Sequence, residues 1–218
     1  MTDPLLICAP MRIEARAVRQ GLRGNPEVLH TGYGTTRAAQ RAEELKAASF
    51  GQIAIMGVGA GLTTELRPGD LVVGTEAGLV TCPSAPLLAG ELRRAGLSAR
   101  TGRITTVDHL IRRSERASLA ADGTLLADME SAPLATAAGQ RPVAVVRAVS
   151  DTPDHPVASI VSPCGSVPSG SPASRPVSAM LGSRPMPTRL YPAAMSPRAS
   201  MATEPIHRYP ASGANVPC

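Results

Sequence analysis

The stretch LLICAPMRIEARAVRQGL (5–22) decides the fold class. Its first part, LLICAP (5–10), is a short apolar run that ends in proline, and it predicts a buried strand. Its second part, RIEARAVRQGL (12–22), has apolar residues at helical spacing. The apolar side of this predicted helix carries Ile13, Ala17, Val18 and Leu22. The stretch therefore predicts a strand that is followed directly by a helix.

The same alternation of strands and helices continues along the chain to residue 150. Apolar or strand-like runs predict further strands at 27–32, 52–58, 71–77, 99–107, 124–128 and 142–150. Helical spacing predicts further helices at 35–48, 83–97, 114–121 and 129–139. Continuously apolar strands that alternate with helices are typical of an α/β fold with a mostly central sheet.

The composition restricts the class of protein. Hydrophobic residues make up 43% of the 218-residue chain but aromatic residues only 2%, so the core is expected to be aliphatic. No apolar run approaches the roughly 18 uncharged residues of a membrane span, and the N-terminus lacks the pattern of a secretory signal. The cysteines are scattered, at Cys8, Cys82, Cys164 and Cys218. This spacing argues against a structural zinc site or a disulfide framework and predicts a cytoplasmic location.

The net charge of +5 belongs mostly to the last part of the chain. Residues 157–218 contain five arginines and one acidic residue, Glu204, so residues 1–156 are nearly neutral. Eleven of the 21 prolines also fall in residues 157–218, where no apolar period survives. Proline removes a donor and ends helices, so this segment is predicted to be disordered. The chain therefore divides into a folded domain, 1–156, and a Pro/Ser/Arg-rich tail, 157–218.

Two explanations of the tail stay open. Lysine occurs once against 21 arginines, which is typical of GC-rich coding DNA. In such DNA an out-of-frame stretch is also rich in proline, arginine, serine, alanine and glycine. The tail is therefore either a frameshift product or a natural disordered tail.

Two glycine turns are predicted at the ends of strands. TGYGTTRAA (31–39) joins a strand to a helix, and Gly32 and Gly34 let the backbone approach a ligand beside the free N–H groups of the helix start. MGVGAGL (56–62) follows a buried strand but has neither a P-loop lysine nor the dinucleotide-binding spacing. Because ligands bind at strand ends in open α/β sheets, the two turns together predict a ligand site.

Three acidic residues, Glu14, Glu130 and Asp151, stand out because their surroundings are apolar. Each lies where the carboxyl end of a predicted strand meets the next element. Acids gathered at such a place bind sugar hydroxyls and transfer protons. The alternative is structural, because single acids at helix starts also cap free N–H groups and favour the helix dipole.

Six segments occur in the order in which a known family has them. They are APMRIEA (9–15), TGYGTTRAA (31–39), MGVGAGL (56–62), ELRPGDLVVGTEA (65–77), DMESAPLA (128–135) and VVRAVSD (145–151). Together they resemble the nucleoside phosphorylase and nucleosidase superfamily, which includes purine nucleoside phosphorylases and methylthioadenosine/adenosylhomocysteine nucleosidases. The resemblance implies a three-layer α/β fold of the phosphorylase type, whose twisted mixed sheet closes partly into a barrel.

The resemblance also implies cleavage of the N-glycosidic bond of a purine nucleoside, by phosphorolysis or hydrolysis. Asp151 matches the acid that protonates the leaving purine, and an apolar pocket is expected to keep its proton available. Glu130 matches the glutamate that holds the ribose hydroxyls, and Met129 the methionine beneath the sugar. Glu14 matches the glutamate that activates water in the hydrolytic members. The turns around the phosphate or water and the sugar are matched by Gly32, Gly34, Gly57 and Gly59.

The resemblance implies a small-molecule nucleoside as the partner, no metal and no cofactor, and a homo-oligomer, because members are often dimers or larger. Inorganic phosphate is the co-substrate if the reaction is phosphorolysis. Val58 stands where many members have Ser or Thr, which weakens a phosphate site, although Arg12 or Arg37 could supply its charge. The aromatic-poor loops and TCPSAPLLAGELRRAGL (81–97) also resemble a branch associated with hopanoid synthesis, whose members are proposed to remove adenine from adenosylhopane.

The end of the chain departs from the family, whose members continue after S-D with a pocket-closing segment and a long C-terminal helix. Uncovering several hundred Å² of apolar sheet costs about 10 kcal/mol, comparable to the stability of a whole domain. Two functions therefore stay open: a nucleoside-cleaving enzyme, or an inactive nucleoside-binding or degenerated member with an interaction tail. A nucleic-acid binder is disfavoured because the positive charge lies in the tail.

Overall fold

The computed structural model describes residues 4–22 and 27–156 of the chain. The strands are β1 (Leu5–Ala9), β2 (Glu27–His30), β3 (Gln52–Gly61), β4 (Leu71–Ala77), β5 (Val80–Thr81), β6 (Ala99–Thr106), β7 (Thr124–Asp128) and β8 (Val143–Asp151). The helices are α1 (Arg12–Gly21), α2 (Thr35–Lys46), α3 (Ala85–Arg94), α4 (Arg113–Ala120) and α5 (Ser131–Thr136). The predicted tail, 157–218, and both explanations of it lie outside the described residues.

The strands form one mixed sheet that is organised around β3. Strand β3 pairs in parallel with β1 and β8 and antiparallel with β7. Strand β8 continues antiparallel to β4, β4 pairs in parallel with β6, and β6 pairs in parallel with β7. These five strands, β3, β8, β4, β6 and β7, therefore close into a barrel, and β1 and β2 extend the sheet beyond it. The predicted fold class is confirmed.

Helices cover the sheet from two sides, which gives the three layers. Alternate residues of β1 belong to different clusters: Leu6 packs with residues of α2 and α5, whereas Ile7 packs with α1. Helix α3 covers another part of the barrel, where Ala89 and Leu92 pack against β4 and β6. Within the described ranges, no helix is long and apolar enough to cross a membrane.

The predicted glycine turn at 56–62 is wrong, because β3 continues through it to Gly61. Its buried positions alternate, so that Ile53 and Ile55 are followed on the same side by Gly57 and Gly59. A Cβ at Gly59 would lie 2.4 Å from Cδ2 of Leu126 and 2.9 Å from a backbone oxygen. Glycine is needed here because other parts of the protein occupy the space of a side chain.

The predicted apolar side of α1 is also wrong in part. Ile13 is half exposed, and the residues that face the sheet are Glu14, Ala15 and Val18. Hydrogen bonds from backbone N–H groups hold the Glu14 carboxylate inside, and this rotates the helix away from the orientation that hydrophobicity alone predicts. The sequence also gave no sign of the two-residue strand β5.

Replacing Gly59 with alanine tests the packing of β3. We expect the free energy of unfolding to fall by about 1–3 kcal/mol, because the added methyl group must displace Leu126 and a strand backbone. Urea denaturation followed by circular dichroism measures the change. Gly90→Ala in α3 is the matched control: its Cβ would meet only the Arg94 guanidinium, at 3.7 Å or more, so stability should rise by about 0.5–1 kcal/mol. Equal stability of the two variants would contradict this account of β3.

Candidate active site

The centre of the candidate site is an arginine inside the sheet. Arg147 lies in the middle of β8, and its side chain is fully buried. Its Nη2 atom lies 2.7 Å from Oδ2 of Asp128 and 3.7 Å from Oε2 of Glu130, and it donates a hydrogen bond of 3.0 Å to Oγ of Ser131. Burial opposes the positive charge, but the carboxylates around Arg147 more than offset this and raise its pKa.

Glu14 reaches the same centre from the first turn of α1. Its Oε2 atom accepts a hydrogen bond of 2.7 Å from the N–H of Met11, and its Oε1 atom accepts one of 2.8 Å from the N–H of Val58 in β3. Burial raises the pKa of Glu14, against the opposing effects of Arg147 and the two backbone N–H groups. A buried carboxylate with a raised pKa is a better base than an exposed one.

Glu130 reaches the centre from the end of β7, just before α5. Its Oε1 atom accepts a hydrogen bond of 2.8 Å from the N–H of Gly34, and burial raises its pKa against the effect of Arg147. Gly34 is the residue before α2 and has φ of 90°, a backbone conformation that favours glycine. The predicted anion-binding N–H group at the start of α2 therefore binds a carboxylate of the protein itself.

Gly57 separates the arginine from Glu14. A Cβ at this position would lie 2.4 Å from Nη1 of Arg147 and 2.7 Å from Oε1 of Glu14, so only glycine leaves room for both groups. Nη1 is buried and has no hydrogen-bond partner among the described residues. A guanidinium N–H donor and a carboxylate oxygen of a group with raised pKa thus pack against the same residue of β3.

Asp151 occupies a different part of the site. It is the last residue of β8, four residues and roughly 13 Å along the strand from Arg147. Its Oδ2 atom is bound to Nη2 of Arg116, and its Oδ1 atom lies 2.6 Å from Oγ of Ser150. The apolar pocket expected around Asp151 is therefore wrong, since a guanidinium is in contact with the carboxylate.

The remaining predicted residues lie in the same region with different surroundings. Gly32 has φ of 93° and donates its N–H to the carbonyl of Pro10, which ties the β2–α2 connection to the end of β1. Met129 is half-buried between Asp128 and Glu130. Leu126 occupies the space that a side chain at position 59 would need. The role of Gly59 as a substrate contact stays a prediction.

Several residues of the site were not identified from the sequence. Arg147 was visible as the one charge inside the apolar run VAVVRAVS, and a buried charge needs buried partners. Asp128 was not singled out from the sequence, yet it carries the shortest ion pair to Arg147. Arg116 gave no signal, because α4 is short and polar. Tyr33 also lies near Glu130: burial raises the pKa of the Tyr33 phenol, and the charge of Glu130 raises it further.

The arrangement can perform two tasks. Glu14, whose pKa is raised by burial, can accept a proton, and Nη1 of Arg147 has an N–H group free to donate a hydrogen bond. Asp151, at the end of β8, provides a second carboxyl group, and this group lies away from Glu14 and Arg147. Two carboxyl groups at a distance, one accepting and one donating, are suited to the cleavage of a bond between them.

The family model described as the phosphorylase superfamily matches residues 16–161. The chain belongs to the phosphorylase superfamily. The predicted family is therefore confirmed, although no curated protein matches the sequence significantly.

Solved structures show the same phosphorylase-superfamily fold. The 5′-methylthioadenosine/S-adenosylhomocysteine nucleosidase of Campylobacter jejuni matches with a TM-score of 0.63 and 16% identity, over 72% of this chain and 89% of that one. The S-adenosylhomocysteine nucleosidase of Streptococcus pyogenes, in complex with 5-methylthiotubericidin, has a TM-score of 0.59, 20% identity and coverage of 71% and 86%. A futalosine hydrolase mutant of Helicobacter pylori has a TM-score of 0.59, 18% identity and coverage of 68% and 90%.

Replacing Arg147 with methionine tests the centre of this phosphorylase-superfamily site. We expect the free energy of unfolding at pH 7 to fall by about 3–5 kcal/mol, because buried carboxylates lose their counter-charge. The loss should shrink as the pH is lowered toward 4, since protonation then removes the uncompensated negative charge. Urea denaturation at several pH values measures both effects. Arg100→Met, at an exposed ion pair with Glu65, is the control and should change little. A loss of stability that is small or independent of pH would contradict the assignment.

Proposed function

We propose that the protein hydrolyses the N-glycosidic bond of a purine nucleoside and releases the free base. The observation that carries this proposal is the position of Glu14, a buried carboxylate that faces the unpartnered Nη1 of Arg147 across Gly57. A water molecule at this place would donate to Glu14 and accept from Arg147, which orients its lone pair for attack.

The sugar is proposed to lie beside Glu130 and Met129. A carboxylate near the ribose hydroxyls accepts their hydrogen bonds and stabilises the positive charge that develops on the sugar as the base departs. Arg147 and the N–H of Gly34 hold the Glu130 carboxylate in a fixed position. No free energy of reorganisation is therefore needed to orient it during the reaction. Gly32 and Gly57 keep the backbone close to the sugar and water positions.

The base is proposed to lie toward Asp151. Water forms a bond to C1′ of the sugar and gives a proton to Glu14, while the bond from C1′ to N9 breaks and its electron pair enters the purine. Asp151 gives a proton to the purine, which leaves as a neutral base. The products are the base and a free sugar, and Glu14 and Asp151 regain their initial states by exchange of one proton with solvent.

The substrate is proposed to be an adenosine with an apolar 5′ substituent, such as adenosylhopane in the branch associated with hopanoid synthesis. Two half-exposed hydrophobic residues next to the site support this substituent: Ile13 precedes Glu14, and Tyr33 lies between Gly32 and Gly34. The related nucleosidase of Streptococcus pyogenes binds 5-methylthiotubericidin. The proposed reaction needs no cofactor. The cytoplasmic location and the homo-oligomer stay predictions.

A second candidate is phosphorolysis, with inorganic phosphate as co-substrate. It is favoured by a group of arginines near the end of β2. Burial lowers the pKa of His30, and the positive charges of these arginines lower it further. These arginines are Arg12, Arg19, Arg37 and Arg41. However, Glu14 would repel an anion above Gly57, and the related solved enzymes are a hydrolase and nucleosidases. Hydrolysis is therefore the first proposal.

The activity is tested by incubating the purified protein with 5′-substituted adenosines, with and without phosphate, and measuring free adenine. We expect release that does not depend on phosphate. Asp151→Asn should abolish turnover and leave the circular dichroism spectrum unchanged, because the variant cannot supply the proton. Asp154→Asn, at an exposed position three residues further along, is the matched control and should keep full activity. Full activity of Asp151→Asn would refute the role of Asp151, and binding without release would favour the inactive binding module.

The role of Glu14 is tested by the dependence of kcat on pH. Glu14 must be ionised to accept a proton, so the rate should fall on the acid side, with its midpoint above the ordinary glutamate value of 4.5 because burial raises its pKa. Glu14→Gln should reduce kcat about 10²–10⁴-fold. Glu44→Gln, on the exposed side of α2, should have no effect. Unreduced kcat in Glu14→Gln would exclude this glutamate as the base.

A further inference from the structure

Ser131, the first residue of α5, is fully buried and contacts both Arg147 and Asp128. Its Oγ atom accepts two hydrogen bonds from the guanidinium of Arg147, of 3.2 Å from Nε and 3.0 Å from Nη2. A guanidinium only donates hydrogen bonds, so the hydroxyl proton of Ser131 is available to another acceptor. The hydroxyl donates it to Oδ2 of Asp128. Ser131 therefore links Arg147 to Asp128 in one defined direction.

Asp128 is itself held by the chain around it. Its Oδ1 atom accepts a hydrogen bond of 2.8 Å from the hydroxyl of Thr106, at the end of β6, and one of 3.2 Å from the backbone N–H of Ser131. The Thr106 hydroxyl in turn accepts a hydrogen bond of 2.9 Å from the backbone N–H of Ala132. The ends of β6 and β7 and the start of α5 together hold the edge of the Arg147 guanidinium that carries Nε and Nη2.

The remaining nitrogen of the guanidinium, Nη1, lies near Glu14. A Cβ at Gly57 would lie 2.4 Å from Nη1 of Arg147 and 2.7 Å from Oε1 of Glu14, so these two atoms are only a few ångströms apart. Opposite charges at such a separation attract each other strongly inside a protein. Nevertheless, no ion pair or hydrogen bond joins Arg147 to Glu14 in the described part of the chain, where Arg147 pairs with Asp128 and Glu130.

We propose that Ser131 is a positioning residue that holds the guanidinium of Arg147 apart from Glu14, so that the two groups act on one water molecule and do not pair with each other. This inference rests on the proposed function. Without the hydroxyl, Nε of Arg147 loses its acceptor, and a buried donor without a partner is unfavourable. The guanidinium then turns toward Glu14 and forms the ion pair that Ser131 prevents.

The consequence can be measured at Glu14, because few charged groups of the described residues act on it. Arg147 comes from β8, Asp128 and Glu130 come from the end of β7, and β3 and the residue before α1 supply backbone N–H groups. A guanidinium in contact with a carboxyl group favours its ionised form. If Arg147 moves into contact with Glu14, this glutamate stays ionised to lower pH, and the fall of kcat on the acid side moves to lower pH with it.

Replacing Ser131 with alanine should therefore change kcat in two ways. The maximal kcat should fall about 10- to 100-fold, because the direct ion pair takes the place of the water molecule. The midpoint of the acid-side fall should also shift to lower pH, by about one pH unit. A residue with a merely structural role would lower the rate at all pH values and leave the midpoint where it is in the natural protein.

The experiment measures adenine release from about pH 4 to pH 8 for the natural protein, Ser131→Ala, Ser131→Thr and Thr136→Ala. Thr136→Ala removes an exposed hydroxyl of the same helix and should keep both the maximal kcat and the midpoint. Ser131→Thr retains the hydroxyl and should keep the midpoint, even if the added methyl group lowers the maximal rate. An unchanged midpoint in Ser131→Ala would overturn the proposal.

Ser131→Cys decides the question if Ser131→Ala does not fold. Cysteine is close to serine in size, but its sulfur is a weak acceptor, so the same shift of the midpoint to lower pH is expected. An unchanged midpoint in a folded Ser131→Cys would contradict the proposal in the same way.

A titration that needs no turnover separates this inference from the proposed function. The carboxyl carbon of Glu14, labelled with ¹³C-glutamate and assigned by its loss in Glu14→Gln, should titrate at lower pH in Ser131→Ala than in the natural protein. Equal titration in the two proteins would overturn the role of Ser131. If no adenine is released at any pH, the proposed function fails. If adenine is released but the midpoint does not move in a folded variant, only the role of Ser131 fails.

Discussion

The buried guanidinium of Arg147 is the constraint on which the rest of the structure depends. A positive charge in the middle of a central strand is costly unless carboxylates and hydrogen-bond acceptors surround it. Asp128 and Ser131 supply the shortest contacts, and Glu130 and Glu14 complete the negative surroundings. These groups come from different elements, so the ends of β7, α1 and α5 must converge on β8. The same convergence assembles the candidate active site.

Strand β3 makes this convergence sterically feasible. It lies beside β8 throughout the barrel, and its side toward the cluster changes from isoleucine to glycine where the charged groups begin. Gly57 leaves room for Arg147 and Glu14, and Gly59 leaves room for Leu126. The glycines thus serve close packing inside a strand, and one of them does so where Arg147 and Glu14 meet. Stability and proposed chemistry share the same residues.

The sequence predicted the fold class and singled out three acidic residues, for physical reasons that are local. Apolar runs and helical spacing are visible in a single segment, and Glu14 and Glu130 stand out because charges are rare in such segments. Contacts between distant segments were not visible. The glycines of MGVGAGL have the same appearance in a turn as in a closely packed strand, and only the pairing of β3 with β7 and β8 distinguishes the two. Likewise, nothing near Arg116 in the sequence indicates that it meets Asp151.

The central claim is that Glu14, held beside Arg147, directs water to the sugar carbon. The most direct test is to carry out the reaction in ¹⁸O-labelled water without phosphate and to analyse the released sugar by mass spectrometry at early times. Hydrolysis predicts one ¹⁸O atom at the anomeric position in each newly formed sugar, at a yield equal to that of adenine. Adenine formation that requires phosphate and yields an unlabelled sugar phosphate would contradict the claim.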